Sequence, residues 1–265
     1  MRQRSPVNEP PTARPIVTLT TDFGVSDAYV AQMKAQIIRQ CPHVRLIDVT
    51  HHVPPQDILC GSILLERAID GFPPGTVHLA VVDPGVGTDR RIIVAEVDDQ
   101  SVVCPDNGLI TWAWRLHRGW KVHEVTWRPH AGSTTFHGRD IMGPIAGRMA
   151  SARDGLKTFS REIDDPILLD LAPAPDDATR GTIIHLDHFG NATTNIRQEA
   201  VRDRIALNIC VGRKSIGKLR RTYWDVAPGR PLALIGSSGL LEIAVRDGSA
   251  RDDLKLHVGD EVILR

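Results

Sequence analysis

Charged residues on both sides of a glycine-rich loop form the clearest candidate for chemistry in the chain. Asp83 ends an apolar run, residues 77–82, and Arg90 and Arg91 follow it across a Pro- and Gly-rich segment, residues 84–88. An arginine so placed can share a pocket with the carboxylate, and its guanidinium stays cationic and offers several fixed hydrogen-bond donors. The glycines resemble half of a phosphate-binding loop, but the full G-x-G-x-x-G pattern and a Walker lysine are missing.

Asp22 and His137 are two further candidates. Asp22 follows the first predicted strand, residues 16–20, and ligands of an open parallel sheet bind beyond the carboxyl ends of its strands. His137 stands between an aromatic residue and a glycine, directly before a predicted helix. Both have a structural alternative, because aspartate is common in turns and a lone histidine more often has a structural role.

The remaining histidines and the cysteines do not predict a metal site. His51 and His52 are adjacent, so their side chains point to opposite faces of an extended chain, and no H-x-x-x-H or carboxylate spacing accompanies them. The 4 cysteines are spread without a C-x-x-C pair, which favours small buried thiols. We expect neither a metal nor another cofactor.

A second polar segment lies at residues 187–195. There Phe189 offers a ring face for stacking, and Asn191 offers an amide for hydrogen bonds to a base edge or a ribose hydroxyl. The same residues suit a tight turn that needs Gly and Asn, and both interpretations can hold together. A later segment, which is either a turn or a polar pocket wall, contains Ser237, Ser238 and Glu242.

The pattern of apolar runs predicts two domains. From Ile16 onward, short apolar runs alternate with helix-like stretches, which is typical of an α/β domain with a mainly parallel sheet. After an Ala-, Pro- and Asp-rich linker, residues 171–181, only short β-like runs follow, which indicates a smaller all-β, barrel-like domain. We predict a disordered tail over residues 1–14, the α/β domain over 15–172 and the barrel-like domain over 180–265.

Individual elements follow from the same pattern. In the first domain we predict strands at residues 16–20, 44–49, 77–82, 92–97 and 101–104, and helices from a cap at Ser26 or Asp27 to Gln40, at 56–69 and at 139–152. In the second helix we expect Ile58, Leu59, Ile63 and Leu64 to face inward. In the second domain we predict strands at 182–186, 205–211, 231–235, 241–245 and 261–264.

Composition excludes several classes of partner. The chain has 265 residues with 32 basic and 32 acidic side chains, so its formal net charge is zero, and nothing electrostatic favours nucleic acid or an anionic membrane. The longest apolar runs, such as residues 76–82, are far shorter than the about 18 residues that would indicate a membrane-spanning helix. The tail lacks the apolar region of a secretory signal, and we expect a cytoplasmic protein.

Six short motifs occur in a fixed order along the chain. They are Thr21-Asp22-Phe23-Gly24, Asp48-Val49-Thr50-His51, Val82-Asp83-Pro84-Gly85-Val86-Gly87-Thr88 with Arg90, Pro105-Asp106-Asn107-Gly108, Phe136-His137-Gly138-Arg139-Asp140 and Asp187-His188-Phe189-Gly190-Asn191. With these motifs the sequence resembles the S-adenosyl-L-methionine (SAM) hydroxide adenosyltransferase family, the SAM hydrolases related to fluorinase and chlorinase. The resemblance covers nearly all of residues 16–265.

The resemblance implies a two-domain homotrimer with active sites between neighbouring subunits and SAM as the substrate. It implies that the family's water-activating trio falls on Asp83, Arg90 and His137, that its ribose-binding aspartate falls on Asp22, and that Phe136 lines the pocket near the ribose. The implied contacts to adenosine and methionine are Asp187, Phe189, Asn191, Ser237, Ser238 and Glu242. Relatives often carry an aromatic residue at the position of Ser238, so this sequence departs from them there.

The implied activity is hydrolysis of SAM to adenosine and L-methionine. Halogenating relatives lack the trio, and fluorinases carry a loop insertion that is not found after Arg91. A chlorinase-like halogenase stays an alternative, because Gly138 leaves space near the nucleophile. Two other classes also stay open: a non-catalytic protein that binds SAM or adenosine, and a metal-dependent phosphoesterase.

Overall fold

The computed structural model of the protein describes residues 14–151, 155–171, 179–201 and 207–265. The chain divides into two units, Met1–Leu169 and Asp170–Arg265. Nearly all of the tail predicted at residues 1–14, and residues 172–178 of the predicted linker, lie outside the described residues.

The first unit is built on one mixed sheet of seven strands in the order β2-β1-β3-β5-β4-β6-β7. The strands are β1 (Ile16–Thr21), β2 (Arg45–Thr50), β3 (Val77–Val81), β4 (Ile92–Val97), β5 (Gln100–Pro105), β6 (Lys121–Val125) and β7 (Ser160–Ile163). Strands β2, β1, β3 and β5 run parallel, whereas β4, β6 and β7 pair antiparallel. This confirms the predicted α/β domain with a mainly parallel sheet, and it brings the carboxyl ends of β1 and β3 side by side.

Helices cover both faces of this sheet. They are α1 (Tyr29–Gln40), α2 (Ile58–Gly71), α3 (Thr111–Leu116) and α4 (Gly143–Ser151). Leu79 of β3 packs in one apolar cluster with residues of α1 and α4, and Ala80 packs in a second cluster with residues of α2 and α3. Because successive strand residues point to opposite faces, the fully buried β3 contributes to both cores.

Several helix predictions need correction. No side chain of Ser26 or Asp27 caps α1, because the chain forms bends over residues 25–28 and the helix begins at Tyr29 with Ala28 at its N-cap. In α2, the predicted Leu64 is partly buried and packs against the second apolar cluster, but the prediction missed the fully buried Leu65. The helix predicted from Arg139 begins as a π-helical turn, Gly138–Met142, before it becomes α4, and π-turns are frequent at functional sites.

The second unit is a closed β-barrel, which confirms the predicted all-β, barrel-like domain. Its strands, in the order β10-β11-β12-β13-β9-β8-β14, are β8 (Arg180–Leu186), β9 (Ala192–Arg197), β10 (Asn208–Val211), β11 (Lys214–Arg220), β12 (Pro231–Ile235), β13 (Leu240–Val245) and β14 (Glu261–Leu264). Short helices α5 (Gln198–Val201) and α6 (Ala250–Leu254) follow β9 and β13. Buried Ile183, Ile209, Leu241 and Ile243 belong to one apolar cluster of the barrel.

Two general predictions can be checked on the described residues. Cys41, Cys60, Cys104 and Cys210 are all buried and form no disulfide, which confirms the prediction of buried thiols. Within the described part of the chain, no helix combines the length and the apolar character needed to cross a membrane.

Candidate active site

Asp83 and Arg90 form a buried bidentate ion pair at the carboxyl end of β3. Nε of Arg90 donates to Oδ1 of Asp83 at 2.7 Å, and its Nη2 donates to Oδ2. The side chains of Arg90 and Asp83 are only 9% and 6% exposed, so solvent screens this pair weakly. Among the described residues, the buried Nη1 of Arg90 has no hydrogen-bond partner. Arg90 therefore keeps an unused cationic donor that is shielded from solvent.

His137 joins this pair through a single contact. Nη2 of Arg90 lies 3.1 Å from Nδ1 of His137, and since a guanidinium only donates, Nδ1 must be the acceptor. Burial lowers the pKa of His137 below its ordinary value, and the charge of Arg90 lowers this pKa further, while Asp83 opposes the shift. The imidazole is therefore neutral near pH 7, and its hydrogen lies on Nε2.

The loop between Asp83 and Arg90 has the local structure that brings these residues together. Its turns are closed by Val86, whose N–H donates to Asp83 O, and by Thr88, whose hydroxyl donates to Gly85 O at 2.7 Å. Gly87 has φ +85°, and a Cβ there would lie 2.8 Å from the carbonyl oxygen of Thr134. Only glycine fits this close approach between the loop and the segment that leads to His137.

The structure resolves which of the two neighbouring arginines faces Asp83. Arg90 does, whereas Arg91 donates through Nε to Oδ2 of Asp106 at 2.7 Å and through Nη1 to Oδ1 of Asp165 at 2.7 Å. Successive residues of an extended chain point in opposite directions, which explains the division.

Asp22 lies beside this cluster at the end of β1, and its turn is held from two sides. Its Oδ2 accepts from the backbone N–H of Gln56 at 2.9 Å, and the N–H of Gly24 donates to the carbonyl oxygen of His51 at 2.7 Å. The hydroxyl of Thr21 also contacts Nδ1 of His51 at 2.8 Å. The Asp48–His51 motif thus supports the turn that carries Asp22.

Three aromatic rings surround the mouth of this region. Phe23, Tyr29 and Phe136 pack edge to face, with ring centroids between 5.3 and 6.2 Å apart. A Cβ at Gly138 would lie 3.3 Å from Phe23 and 3.5 Å from Phe136. Phe23 and Phe136 therefore give the site an apolar wall.

A cavity of about 270 Å³ lies among these groups, although Arg90 and Tyr29 are not among the residues that line it. Its lining includes four predicted site residues, Asp22, Asp83, Phe136 and His137, together with Phe23, Gln56, Val81, Pro84, Val86, Thr135 and Gly138. Sequence reasoning missed Gln56, which has φ +66° although it is not glycine. The sequence signal at Phe23 was its place in the turn after β1.

The predicted residues of the second unit begin in a tight turn between β8 and β9. Gly190, with φ +82°, donates its N–H to Asp187 O, and the carboxylate of Asp187 accepts from both the backbone and the side-chain amide of Asn191. Phe189 is 74% exposed. The turn interpretation is therefore correct, and it leaves a ring and an amide available for a ligand.

A second cavity, of about 530 Å³, lies next to this turn. It is lined by Phe189, Asn191, Tyr223, Val245, Asp247 and Gly248. Tyr223, which sequence reasoning missed, donates its hydroxyl to Oε1 of Glu242 at 2.7 Å, and burial together with Glu242 raises its pKa. Glu242 is thus connected to the cavity through Tyr223.

Ser237 and Ser238 lie elsewhere on the barrel. They are exposed and occupy the turn between β12 and β13, which the N–H of Gly239 closes on Gly236 O. That turn precedes Leu240, which pairs with Arg197 at the end of β9, whereas the Asp187–Asn191 turn precedes the start of β9, where Ala192 pairs with Ile243. The two predicted segments are therefore at opposite ends of β9.

No group of three or more His, Cys, Asp or Glu side chains in the described ranges is arranged to hold a metal ion.

Comparisons with known proteins give the same picture over both units. The model of the SAM hydroxide adenosyltransferase N-terminal domain matches residues 17–159, and the model of its C-terminal domain matches residues 181–263. A solved structure of an uncharacterized conserved protein from Thermotoga maritima has a TM-score of 0.87 at 34% identity and covers 94% of this chain and 100% of that chain.

Among relatives with assigned names, the SAM hydrolases are more similar to this chain than the fluorinases are. A protein of Thermus thermophilus named (R)-S-adenosyl-L-methionine hydrolase is 38% identical over 263 residues, which is 95% of this chain and 99% of that protein. A fluorinase of Nocardia brasiliensis is more distant, with 26% identity over 295 residues, which is 94% of this chain and 96% of that protein. The chain belongs to the SAM hydroxide adenosyltransferase family.

Proposed function

We propose that the protein is a SAM hydrolase, in which water attacks C5′ of the ribose in an SN2 reaction and releases adenosine and L-methionine. Family membership and the name of the Thermus thermophilus relative support this reaction. The observation that carries the proposal is the guanidinium of Arg90, which contacts Asp83 and His137 and keeps its buried Nη1 without a partner among the described residues.

In the hydrolysis of SAM, the nucleophile needs catalysis and the leaving group does not. The substrate carries a sulfonium, so attack at C5′ expels a neutral thioether, and no acid is needed to protonate the leaving group. Water is a weak nucleophile, and a site that orients it and stabilises developing hydroxide lowers the barrier most. We assign the unused donor Nη1 of Arg90 to the oxygen of this water, and because Nη1 is buried, this contact requires a local rearrangement of the site when SAM binds.

Asp83 is the proton acceptor in this scheme. Each oxygen of its carboxylate accepts from Arg90 and keeps a further lone pair, and the proton of the attacking water becomes strongly acidic as the C–O bond forms. His137 is neutral and already accepts at Nδ1 from Arg90. His137 therefore holds Arg90 through Nδ1, and its Nε2–H can donate a hydrogen bond to a bound molecule. It can relay a proton only when its contact with Arg90 breaks.

Other residues are assigned to the substrate. We propose that Asp22 binds the ribose hydroxyls and Phe136 lines the ribose pocket. We assign adenosine and methionine contacts to Asp187, Phe189, Asn191 and Glu242, whereas Ser237 and Ser238, at the opposite end of β9, stay a prediction from the resemblance. A homotrimer with active sites between neighbouring subunits is part of the proposal, and multi-angle light scattering should give three times the mass of one chain. The predicted cytoplasmic location stays a prediction that cell fractionation would check.

Halogenation is the second candidate, but the structure does not provide the space predicted beside Gly138, because a Cβ there would lie 3.3 Å from Phe23 and 3.5 Å from Phe136. We rank it lower because the carboxylate of Asp83 lines the cavity and would repel a desolvated halide. The proposed reaction uses neither metal nor cofactor.

One experiment separates these reactions. Purified, EDTA-treated protein is incubated with separated (R) and (S) epimers of SAM in oxygen-18 water containing chloride, and products are identified by liquid chromatography and mass spectrometry. We expect methionine and adenosine labelled at the 5′ oxygen, formed from the (R) epimer that the relative's name specifies. 5′-Chloro-5′-deoxyadenosine would indicate a halogenase, activity restored only by added metal would indicate a metalloenzyme, and intact SAM with retained adenosine would indicate a binding protein.

A further inference from the structure

The turn of residues 105–108 at the end of β5 is outside the set of residues that line the 270 Å³ cavity. It nevertheless makes a hydrogen bond to the residue before Asp83 and an ion pair to the residue after Arg90. Its sequence, Pro-Asp-Asn-Gly, is one of the six motifs, and the proposed mechanism gives it no role.

The first contact concerns Asp83. Nδ2 of Asn107 donates to the carbonyl oxygen of Val82 at 2.9 Å. Val82 is fully buried and directly precedes Asp83, so this bond fixes the orientation of the peptide plane from which the side chain of Asp83 projects. The β-strand ends at Val81, and the bond to Asn107 takes over where the sheet hydrogen bonds stop.

The second contact concerns Arg90. The carboxylate of Asp106, which is 1% exposed, accepts from Nε of Arg91 at 2.7 Å, and the N–H of Asp106 donates to the carbonyl oxygen of Arg91 at 3.0 Å. The other carboxylate oxygen of Asp106 accepts from the N–H of Ile167 at 2.8 Å. Both the backbone and the side chain of Arg91 are therefore held, and the neighbouring Arg90 is directed to the opposite side, toward Asp83.

We propose that Asp106 and Asn107 are positioning residues for catalysis: Asn107 places Asp83 through Val82, and Asp106 places Arg90 through Arg91. This inference rests on the proposed function. A bidentate ion pair tolerates little displacement, because both of its hydrogen bonds need nearly linear geometry. A misplacement of about 1 Å in a catalytic group can cost about 100-fold in rate.

The test measures kcat and KM for SAM in Asp106→Asn and Asn107→Ala. Asp106→Asn keeps the volume of the side chain, and we expect kcat to fall about 10- to 100-fold with little change in KM, because the substrate-binding residues stay in place. Asp165→Asn is the matched control. It removes the other carboxylate bonded to Arg91, which is 70% exposed, and we expect kcat close to that of the wild type because exposed ion pairs contribute little.

Background variants distinguish positioning from a general loss of structure. In an Arg90→Ala background, Asp106→Asn should lower kcat no further, and in an Asp83→Ala background, Asn107→Ala should lower it no further. Full kcat in both single variants would overturn the proposal, as would equal losses in the wild-type and Arg90→Ala or Asp83→Ala backgrounds. If Asp106→Asn does not fold, Asn107→Ala in the wild-type and Asp83→Ala backgrounds tests the proposal by itself.

A second readout does not depend on turnover. The charge of Arg90 lowers the pKa of His137, whose other charged neighbours, Asp83, Arg128 and Asp140, are unchanged in Asp106→Asn. Histidine NMR titrations should therefore give His137 a higher pKa in Asp106→Asn than in the wild type and in Asp165→Asn. Absence of hydrolysis by the wild type would contradict the proposed function, while an unchanged pKa of His137 in Asp106→Asn would contradict the positioning role.

Discussion

Nη2 of Arg90 lies 3.1 Å from Nδ1 of His137, and this contact determines where the imidazole carries its hydrogen. An arginine has no acceptor, so Nδ1 must be unprotonated and Nε2 must carry the hydrogen. Protonation of Nδ1 would place two cations face to face and would remove the acceptor that holds Arg90. The arrangement is therefore intact only while His137 is neutral.

The first prediction concerns the pH dependence of catalysis. Burial and the charge of Arg90 lower the pKa of His137, so the neutral form persists at pH values below the ordinary pKa of about 6.5. We expect kcat/KM to be flat near neutral pH and to fall as the pH drops through this lowered pKa. In His137→Asn the amide oxygen keeps an acceptor for Arg90, but the Nε2–H donor and the proton relay of the ring are lost, so kcat should fall about 100-fold and this acidic limb should disappear. The same acidic limb in His137→Asn would assign the titration to another group.

The second prediction concerns Arg90 itself. Arg90→Ala should lower kcat by about 100- to 1,000-fold, the usual effect of losing one donor that stabilises a developing anion, with a smaller change in SAM affinity. Arg90→Lys should restore little activity, because one ammonium cannot reproduce the planar donors that contact both oxygens of Asp83 and the imidazole of His137.

Stopped-time assays of labelled adenosine give kcat for these variants, and isothermal calorimetry gives the affinity for SAM. Arg39→Ala, an exposed arginine at the end of α1, is the surface control. Wild-type turnover in Arg90→Ala would remove Arg90 from the mechanism.

The sequence predicted those parts of the fold that follow from the alternation of apolar strands and amphipathic helices. The strand-and-helix alternation predicted the α/β domain, because β3 must be apolar on both faces when helices cover both. The same rule placed Asp22 and Asp83 at the carboxyl ends of neighbouring parallel strands, where the structure has them. β11 was missed because Lys-Ser-Ile-Gly-Lys-Leu-Arg is too polar for a strand signal, and its pairing in the closed barrel comes from tertiary contacts.

Other features depend on contacts that no local pattern contains. Gln56 adopts φ +66° and donates its N–H to Asp22, a residue 34 positions away. Nothing in the sequence around Gln56 favours that conformation, which glycine or asparagine would adopt more easily. The choice between Arg90 and Arg91 likewise depended on Asp106 and Asp165, which lie 15 and 74 positions beyond Arg91.

The third prediction concerns the glycine loop. In Gly87→Ala the new Cβ would lie 2.8 Å from the carbonyl oxygen of Thr134 at a positive φ, so the loop must move away from the segment that leads to His137. We expect a loss of unfolding free energy of at least about 1–2 kcal/mol and a drop in kcat of about 10-fold or more.

Gly85→Ala is the matched control in the same loop. Its Cβ would meet Arg90 and Thr88 at 3.6 Å, an ordinary contact distance, and we expect little change in either quantity. Urea unfolding and steady-state assays measure both variants. Equal unfolding free energies and equal kcat values for Gly87→Ala and Gly85→Ala would show that the close approach to Thr134 affects neither stability nor catalysis.

The last prediction concerns stability and a histidine away from the site. His78 of β3 is 1% exposed, with Nδ1 2.8 Å from the hydroxyl of Thr18 and Nε2 2.8 Å from Oε1 of Gln100. Nε2 of Gln100 donates to the carbonyl oxygen of Ile69, so its amide oxygen faces His78 and Nε2 of His78 must be the donor. Burial lowers the pKa of His78, although the bond to Gln100 opposes the shift.

Because the folded state disfavours the proton on His78, the unfolded state binds more protons below the ordinary pKa of about 6.5. The contribution of His78 to the free energy of unfolding is therefore complete above that pH and is lost as the pH falls toward the lowered pKa of the folded state.

His78→Gln should lower the free energy of unfolding by about 1–3 kcal/mol at pH 7.5, because buried hydrogen bonds are lost. The variant should also flatten the decline of the unfolding free energy between pH 7 and pH 5. Urea unfolding across this range measures both effects, with the exposed His130→Gln as the matched control. One titrating histidine contributes at most about 1.4 kcal/mol per pH unit to the slope of unfolding free energy against pH, and its removal must reduce that slope. An equally steep decline in His78→Gln and the wild type would therefore mean that the pH dependence arises from other groups.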